Sequence, residues 1–513
     1  MADRLRKLTY LCALAALSVA VLASAGVARA SNNQESIFQD DSLLLNASDA
    51  KRQSALDEIK SLGADTVHVL AIWQHYAPSS SSKNKPKSFD GTNPAAYPAH
   101  AFDALDALIL EANARGLGVL LTPGVPAPVW GTHCKSSKTN CRPDAGEFRK
   151  FVTALGTRYS GSFVAAKSAA LNLPVISPAS SALPRVSRWS ALNEPNLGGW
   201  LTPQYTGSKK HPVSASPLIY RRLFYAMADG LSASGHGSDQ MLLGETAPIG
   251  HSGGSLTTRN TPPLSFYRTL FCLDSHGKAL KGSAAAKVGC KGSYRKLSAN
   301  GIATHPYTQG ADRGPTAKGG KNDLTLAQIK NLEKLLNVAA KRGRIGSGLP
   351  ILFTEYGVQT HPPDSFAPST KTQAVWLNQA EWLGFRDSRI RAYAQFELID
   401  PSDPNVFNTG LRFSNGHAKP SLAAYRLPIW VVRSGKHAVN VFGAVRPAGA
   451  SENVDIQRRS SSKGKWTSVA SATVGVGHRY LLVHVTKSGG HWRLVWKTGG
   501  KTYSSREASV SPR

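Results

Sequence analysis

The chain has 513 residues, of which 41% are hydrophobic and 18% are charged, and its formal net charge is +29. This length is sufficient for a large core and for more than one domain. The Lys and Arg residues are scattered, without a basic helix or an aromatic-basic RNA motif, so no nucleic-acid partner is expected.

Residues 1–30 have the pattern of a secretory signal peptide. A basic start with Arg4 and Lys7 is followed by an Ala/Leu/Val run and an A-x-A cleavage pattern at 28–30. The apolar run is nearly long enough for an uncleaved membrane anchor, which is the alternative. We expect a secreted, extracellular protein that begins near Ser31, with its net charge lowered to +26 and no later membrane span.

Between residues 36 and 427, eight short apolar runs alternate with amphipathic helical patterns. Continuous apolar strands separated by helices indicate a parallel sheet covered by helices. Eight such units predict a (β/α)8 TIM barrel at 31–427, with a doubly wound open sheet as the alternative. No Gly-rich phosphate loop follows the first strand, which favours the barrel. The predicted strands lie at 36–45, 65–73, 116–123, 186–193, 240–245, 301–307, 349–355 and 390–398.

The pattern changes after Tyr425 to short strand-like runs divided by Gly/Ser/Lys turns. This predicts a small all-β sandwich domain at 428–513. From residue 426 onward the chain has fifteen Lys or Arg and only three Asp or Glu. An anionic wall polymer is therefore a candidate partner of this domain.

The five cysteines indicate two local disulfides. Cys12 belongs to the signal segment, and the other four form the close pairs Cys134/Cys141 and Cys272/Cys290, each in a Gly/Ser/Lys-rich stretch. Zinc binding is disfavoured because neither pair has C-x-x-C spacing or a flanking His at the spacing of a zinc ligand. No metal or organic cofactor is implied. Both disulfide loops are expected on the rim of the barrel that carries the active site.

In a TIM barrel the active site lies at the carboxyl ends of the strands. Two carboxylates stand out there: Glu194, within N-E-P after strand four, and Glu355, after strand seven, which we expect to face each other across the barrel mouth. Such a pair suits glycosidic bond cleavage, in which one carboxylic acid protonates the leaving oxygen and the other carboxylate attacks or activates water. The full set of polar and aromatic strand-end residues is Trp73, Trp130, Asn193, Glu194, Glu245, His305, Tyr307, Glu355, Gln395 and Glu397.

The other strand-end residues are candidates for substrate binding. Tyr307 is expected to hold the nucleophile ionised by hydrogen bonding, and Asn193 to bind the sugar 2-hydroxyl. Trp73 and Trp130 are candidates for stacking on sugar faces, with core packing as the alternative. The remaining candidates for substrate contact are His305, Glu245 and Gln395.

N-E-P after strand four, H-P-Y after strand six and T-E-Y-G after strand seven together resemble the retaining clan A glycoside hydrolases. The similarity is greatest to cellulase-like family-five and to family-thirty-nine enzymes, and the stretch at 409–425 resembles the closing segment of cellulase-like actinobacterial barrels. Over residues 36–427 this resemblance implies Glu194 as the acid/base and Glu355 as the nucleophile. It also implies Asn193, His305 and Tyr307 as supporting residues.

Three positions depart from the family-five pattern. His68 stands on the second strand where Arg is usual, the third strand lacks the usual His, and the eighth strand ends in Gln395-Phe396-Glu397 instead of a Trp platform. The C-terminal domain resembles the immunoglobulin-like or fibronectin-like modules of secreted hydrolases.

The sequence therefore predicts a secreted retaining glycoside hydrolase that cleaves β-glycosidic bonds by double displacement. The two carboxyl groups should lie about 5–5.5 Å apart, with a proton on Glu194 and a negative charge on Glu355. One alternative is a catalytically silent carbohydrate-binding or cell-wall-associated protein on the same barrel. Another is a binder of anionic polymers.

Overall fold

The computed structural model describes residues 34–512 except 135, 166–181, 251–252, 293, 309–311, 405 and 477. Eight parallel strands close into a barrel in which each strand pairs with its neighbours in the chain and the last pairs with the first. This confirms the TIM barrel. The strands are β1 (Glu35–Gln39), β2 (Thr66–Ile72), β3 (Gly118–Gly124), β4 (Arg188–Ser190), β5 (Gln240–Thr246), β6 (Gly301–Thr304), β7 (Ile351–Phe353) and β8 (Ile390–Phe396).

Helices pack their apolar faces against the outside of the barrel, where most of the buried aliphatic and aromatic residues form one continuous core. The α-helices are α1 (Asp41–Leu44), α2 (Asp49–Ser61), α3 (Trp73–Tyr76), α4 (Asp103–Ala114), α5 (Ala145–Arg158), α6 (Ser216–Ala233), α7 (Pro263–Leu270), α8 (Gly282–Lys287), α9 (Ile329–Lys341), α10 (Thr370–Phe385) and α11 (Pro420–Arg426). Within the part of the chain that the structure describes, no helix is long and apolar enough to cross a membrane.

The inside of the barrel is layered. A small apolar layer fills its centre, contributed by alternate residues of six strands, as expected from the period of two in a strand. Towards the carboxyl ends of the strands the inward-facing residues become polar although they remain buried, and this layer includes His68, Thr122, Ser190, Glu245 and His305. The apolar layer thus seals the barrel beneath a polar floor.

The first strand is shorter than predicted. It ends at Gln39, and the apolar residues that follow belong to α1. The reason is helix capping, because the Asp40 carboxylate accepts a hydrogen bond from the backbone N–H of Leu43. A hairpin of Tyr205–Gly207 and Pro212–Ser214, between β4 and β5, was not predicted.

After α11 the chain forms two antiparallel sheets that share an apolar core rich in Val, Leu, Ile and Trp, so the predicted β-sandwich is present. Its Trp492 and Trp496 are buried in that core. The first strand, at 429–433, was not predicted. The strands are β9 (Ile429–Arg433), β10 (Val439–Ala444), β11 (Glu452–Arg459), β12 (Thr467–Val474), β13 (Tyr480–Val485), β14 (His491–Thr498), β15 (Lys501–Ser504) and β16 (Ala508–Ser509).

The structure joins Cys134 to Cys141 and Cys272 to Cys290. The expectation that both loops lie on the catalytic rim is wrong for the second pair. The second pair follows α7 and packs against α6 on the outside of the barrel, where Arg221 Nη1 lies 3.1 Å from Cys272 Sγ and donates to the carbonyl of Leu270. This disulfide therefore stabilises the contact between α6 and the segment after α7.

Candidate active site

Glu194 and Glu355 lie at the same end of the barrel, just beyond the carboxyl ends of β4 and β7. They do not face each other across the full width of the mouth, because only β5 and β6 separate their strands in the ring. This arrangement brings them close together, and the intervening strands supply Glu245 and His305 between them.

A sharp turn of the backbone presents Glu194 to the cleft. Glu194 has a φ of +40°, in the left-handed region that residues other than glycine rarely adopt. Its N–H donates to the carbonyl of Glu245, 2.9 Å away. The side chain of Asn196 holds the following loop by bonding the N–H of Ala247 and the carbonyl of Thr261. The N-E-P-N segment is therefore fixed to the loop that follows β5.

The two carboxylates and the imidazole of His305 form one compact cluster. One oxygen of Glu194, one of Glu355 and a ring nitrogen of His305 all lie within 4.8 Å of one another. His305 Nδ1 is 3.1 Å from Glu194 Oε1 and 3.3 Å from Glu355 Oε2. The Tyr307 hydroxyl donates to Glu355 Oε2 at 3.2 Å. The strand ends therefore bring together four of the predicted site residues.

The side chain of Glu245 anchors His305 from below. Its Oε2 lies 2.8 Å from His305 Nε2 and accepts a hydrogen bond from the Thr354 hydroxyl. Burial by itself raises the pKa of Glu245, but the hydrogen bond from His305 and the nearby imidazoles lower it to about 2. Because Glu245 is completely buried, it does not reach the substrate as predicted. Its contacts give it a positioning role.

His305 is positively charged in this arrangement. Burial disfavours the charged ring, but Glu355, Glu194 and Glu245 raise the pKa of His305 well above its ordinary value. Both ring nitrogens then act as donors to carboxylates. An imidazolium has no lone pair for a metal ion, so the cluster of Glu194, His305 and Glu355 does not fit a metal site in this state.

Glu355 holds a proton near neutral pH. Burial is the main cause, and the negative charges of Glu194 and Glu245 add to it. The charge of His305 and the hydrogen bond from Tyr307 oppose it, and the resulting pKa of Glu355 is about 8. The sequence-based expectation placed the proton on Glu194. The expectation of an ionised Glu355 therefore differs from the structure, and the main cause is the burial of this side chain, which is 9% exposed.

Asn193 precedes Glu194 and is almost completely buried. Its Oδ1 accepts no hydrogen bond from any residue that the structure describes. A buried amide oxygen without a partner is uncommon, so it is suited to accept a donor from a bound molecule. The position agrees with the expected contact to a sugar hydroxyl, which remains a prediction.

Trp73 does not form a sugar platform as predicted. It is 1% exposed and lies in the outer core, stacked on Phe151 and edge-on to Trp130. Trp130 is half-buried, and its N–H donates to the carbonyl of Pro78. Both indoles pack against aromatic residues between the barrel and α5. This packing buries Trp73, which therefore does not offer a ring face to a sugar.

Gln395 also differs from the prediction. It is fully buried, and its amide nitrogen donates to the carbonyls of Phe396, Glu397 and Thr409. The amide nitrogen thus stabilises the backbone after β8, and the full burial of the side chain keeps it away from the surface of the cleft.

Aromatic residues that the sequence did not indicate are exposed beside the site. Phe407 packs edge-on against Tyr307 and is partly exposed. Phe366 is 83% exposed and, with Trp376, borders a depression that begins at Tyr307. These residues come from the loops after β7 and β8 and from α10, and no local sequence signal marks them.

Glu397, a further carboxylate near Glu355, was expected as a strand-end residue and as a departure from the family pattern, but without an assigned role. Its position directly after a buried strand was the available signal. Burial, together with the charges of Asp40, Asp400 and Glu355, raises the pKa of Glu397 to about 10. His68, the other departure, is buried and bonds the hydroxyl of Thr122, where it supports the polar floor.

No family model and no curated protein matches this sequence. Three solved structures illustrate the similarity of fold. A GH5_18 protein from Streptomyces cattleya in complex with GlcNAc is 15% identical with a TM-score of 0.44, covering 77% of this chain and 79% of that one. The exo-β-1,4-mannosidase Op5Man5 from Opitutaceae bacterium strain TAV5 is 14% identical with a TM-score of 0.40, covering 76% and 58%.

A β-glucosidase from Thermotoga maritima in complex with glucoimidazole is 10% identical with a TM-score of 0.44, covering 77% of this chain and 97% of its own. At such identities and TM-scores, no inference about activity is drawn from these proteins. Any function must be inferred from the residues of the site.

Proposed function

We propose that this protein is a retaining glycoside hydrolase that cleaves β-linked glycans. The observation that carries the proposal is the cluster of Glu194, Glu355 and His305, whose reactive atoms lie within 4.8 Å of one another at the barrel mouth. Inverting enzymes need about 6.5–9.5 Å between their carboxyl groups to admit a water molecule, whereas retaining enzymes need about 5–5.5 Å. The short separation supports double displacement.

In the first step Glu355 attacks the anomeric carbon, while Glu194 protonates the leaving glycosidic oxygen. In the second step Glu194 removes a proton from water, which attacks the same carbon and releases Glu355. Asn193 binds the 2-hydroxyl through its unpartnered Oδ1. Tyr307 holds Glu355 in position and stabilises its negative charge through the hydrogen bond.

A proton must move before the first step, because Glu355 has to be ionised to attack and Glu194 has to donate a proton. His305 Nδ1 contacts both carboxylates and offers the path. The imidazolium donates its Nδ1 proton to Glu194 and takes the proton of Glu355, so that the charge of the cluster does not change. Glu245 keeps the ring in the orientation that permits this exchange.

The chain contains two disulfides, and disulfides are common in secreted proteins but rare in cytosolic ones. We therefore propose that the enzyme acts outside the cell. The preceding signal segment at 1–30 lies outside the described residues. An N-terminus near Ser31 on protein recovered from the culture medium would support this location. An intact Met1 on that protein would contradict it.

The test combines labelling and rescue. A 2-fluoro-glycoside of the true sugar should label Glu355, and Glu355→Ala should abolish turnover of all substrates. Glu194→Ala should still release good leaving groups, and added azide should accelerate it by attacking the glycosyl intermediate. Retention of configuration should be visible by NMR in the first product. An inverted product, or labelling of another residue, would refute the mechanism, and no hydrolysis in a broad glycan screen would favour a silent sugar-binding protein.

A further inference from the structure

We propose that Gln39, Asp41 and Glu397 form a subsite that binds a protonated amino group on the sugar beside Glu355. The preferred substrate would then be a β-linked glycan of amino sugars whose amines are free and lie on a carbon other than C2, because the 2-hydroxyl is assigned to Asn193. This inference rests on the proposed glycosidase function and specifies its substrate class.

The barrel places these residues next to one another. Gln39 ends β1 and is in register with Phe396, which ends β8, so Glu397 and Asp41 follow neighbouring strands. The N–H of Phe396 donates to the carbonyl of Tyr356 at 2.8 Å, and Tyr356 follows Glu355. The subsite therefore adjoins the proposed nucleophile.

Two buried oxygen atoms in this group lack donors. Glu397 is 7% exposed, and its Oε2 accepts no hydrogen bond from any described residue. The Oε1 of Gln39 also accepts no hydrogen bond from a described residue. The Nε2 of Gln39 donates to Asp41 Oδ2 at 3.4 Å, so the Gln39 amide lies beside the Asp41 carboxylate. Buried acceptors are normally paired, so these two indicate a ligand that donates hydrogen bonds.

The nearby groups of the protein are already engaged. The four donors around Asp40 include the N–H groups of Leu43 and Leu398, so Asp40 needs no ligand. Lys419 is buried against Asp400 at 2.7 Å and also bonds Thr360. Among the described residues, no Lys or Arg forms an ion pair with Asp41 or Glu397, so neither carboxyl group has a direct cationic partner.

An ammonium group fits this environment better than a hydroxyl group or a metal ion. It has three donors and no acceptor, and its positive charge stabilises the ionised form of carboxyl groups whose pKa values are raised by burial and, to a smaller extent, by neighbouring carboxylates, to about 10 for Glu397 and about 7 for Asp41. A hydroxyl group carries no charge. Within the described ranges, Glu194, His305 and Glu355 are the one group of acidic, His or Cys residues close enough together to hold a metal ion. Asp41 and Glu397 do not belong to this group, so a metal ion is not expected at the subsite.

The test compares two tetrasaccharides that differ in one substituent. 6-Amino-6-deoxycellotetraose carries an ammonium where cellotetraose carries the 6-hydroxyl, at a pH below the pKa of the amine, and it keeps the 2-hydroxyl that is assigned to Asn193. Calorimetry with the Glu194→Gln variant, which should not hydrolyse them, should show at least about tenfold tighter binding of the amino sugar. Binding should release the proton of Glu397, which appears as a heat that depends on the buffer.

Glu397→Gln should remove this preference, and Asp41→Asn should reduce it. The control is Asp229→Asn, since Asp229 forms an exposed ion pair with Arg295 on the surface, and it should leave the preference unchanged. Equal binding of both tetramers, or a preference that survives Glu397→Gln, would overturn the inference. So would binding of Ca²⁺ or Mg²⁺ that depends on Glu397. Selective binding without hydrolysis by the wild type would support the subsite and refute the proposed function.

Discussion

At the residue scale, His305 divides two N–H donors among three carboxylates. Its Nε2 side is held by Glu245, and its Nδ1 side lies between Glu194 and Glu355. Glu194 and Glu355 therefore share a positively charged neighbour. Its charge reduces the repulsion between two carboxyl groups that lie close together in a buried site. Glu355 nevertheless keeps a proton because its burial and the other carboxylates outweigh His305 and Tyr307.

This balance predicts the pH dependence of catalysis. The reactive pair needs one proton, and the raised pKa of Glu355, about 8, means that this last proton is lost near that pH. We expect kcat/KM to fall above about pH 8. Tyr307→Phe removes a hydrogen bond that lowers the pKa of Glu355, so the fall should move to higher pH and the maximal rate should drop about tenfold.

The measurement is the pH profile of kcat/KM for both forms. Tyr225→Phe is a suitable control, because the Tyr225 hydroxyl donates to the carbonyl of Arg295 away from the site. A profile that falls at the same or a lower pH in Tyr307→Phe would contradict the assigned role of this hydroxyl.

At the scale of elements, the loop after β4 is held by the loop that contains the first disulfide. The backbone of Thr202 donates to the carbonyl of Asn140 and accepts from Arg142, both at 2.9 Å. The Asn140 side chain donates to the carbonyl of Gly199, also at 2.9 Å. The Cys134–Cys141 loop is thus connected to the segment that carries Glu194.

Replacing both Cys134 and Cys141 by Ser should raise KM more than it lowers kcat, because it loosens the Glu194 loop and leaves the reactive groups in place. The expected loss of stability is about 2–3 kcal/mol for so short a loop. The Cys272→Ser and Cys290→Ser double variant is the matched control. It should lower stability without raising KM, since that disulfide packs against α6 on the outside of the barrel.

Steady-state kinetics and urea unfolding of the two double variants distinguish the effects. Equal increases in KM for both variants would show that the disulfides act through overall stability. In that case the connection between Asn140 and the Glu194 loop would not matter for binding.

At the scale of the whole molecule, the β-sandwich is packed against the barrel. Arg446 of the sandwich is buried, forms an ion pair with Glu381 of α10, and donates to the carbonyl of Tyr425 at 2.8 Å. Beside it, aromatic rings from both parts are in contact, including Phe385 with Phe442 at 4.8 Å between centroids. The contact is largely apolar with a buried charge pair, which indicates a fixed arrangement of the two domains.

Arg446→Ala should lower the free energy of unfolding by about 3–5 kcal/mol, because it leaves the charge of Glu381 buried without a partner. Arg479→Ala is the control, since Arg479 reaches Asp65 of the barrel at a partly exposed position and should cost only about 1 kcal/mol. Urea unfolding followed by Trp fluorescence measures both. Two separate transitions in the wild type would contradict the fixed arrangement.

The sequence alone determined the barrel, the β-sandwich and the pairing of cysteines. Each of these depends on local pattern: the alternation of apolar strands with amphipathic helices, the change to short strands after Tyr425, and the short distance along the chain within each cysteine pair. N-E-P and T-E-Y-G were recognisable for the same reason, because a polar residue directly after a buried strand must lie at the barrel mouth.

Only the tertiary structure decided how these strand-end residues are used. Trp73 and Gln395 occupy the predicted end of the barrel, yet packing and backbone carbonyls take up their side chains. The protonation of Glu355 depends on its burial and on charged residues from other strands. Glu397 and Gln39 are neighbours in the barrel only because β8 pairs with β1. The burial of a side chain, the charges around it and the closure of the barrel all depend on residues that are far apart in the sequence. A local sequence pattern therefore cannot predict them.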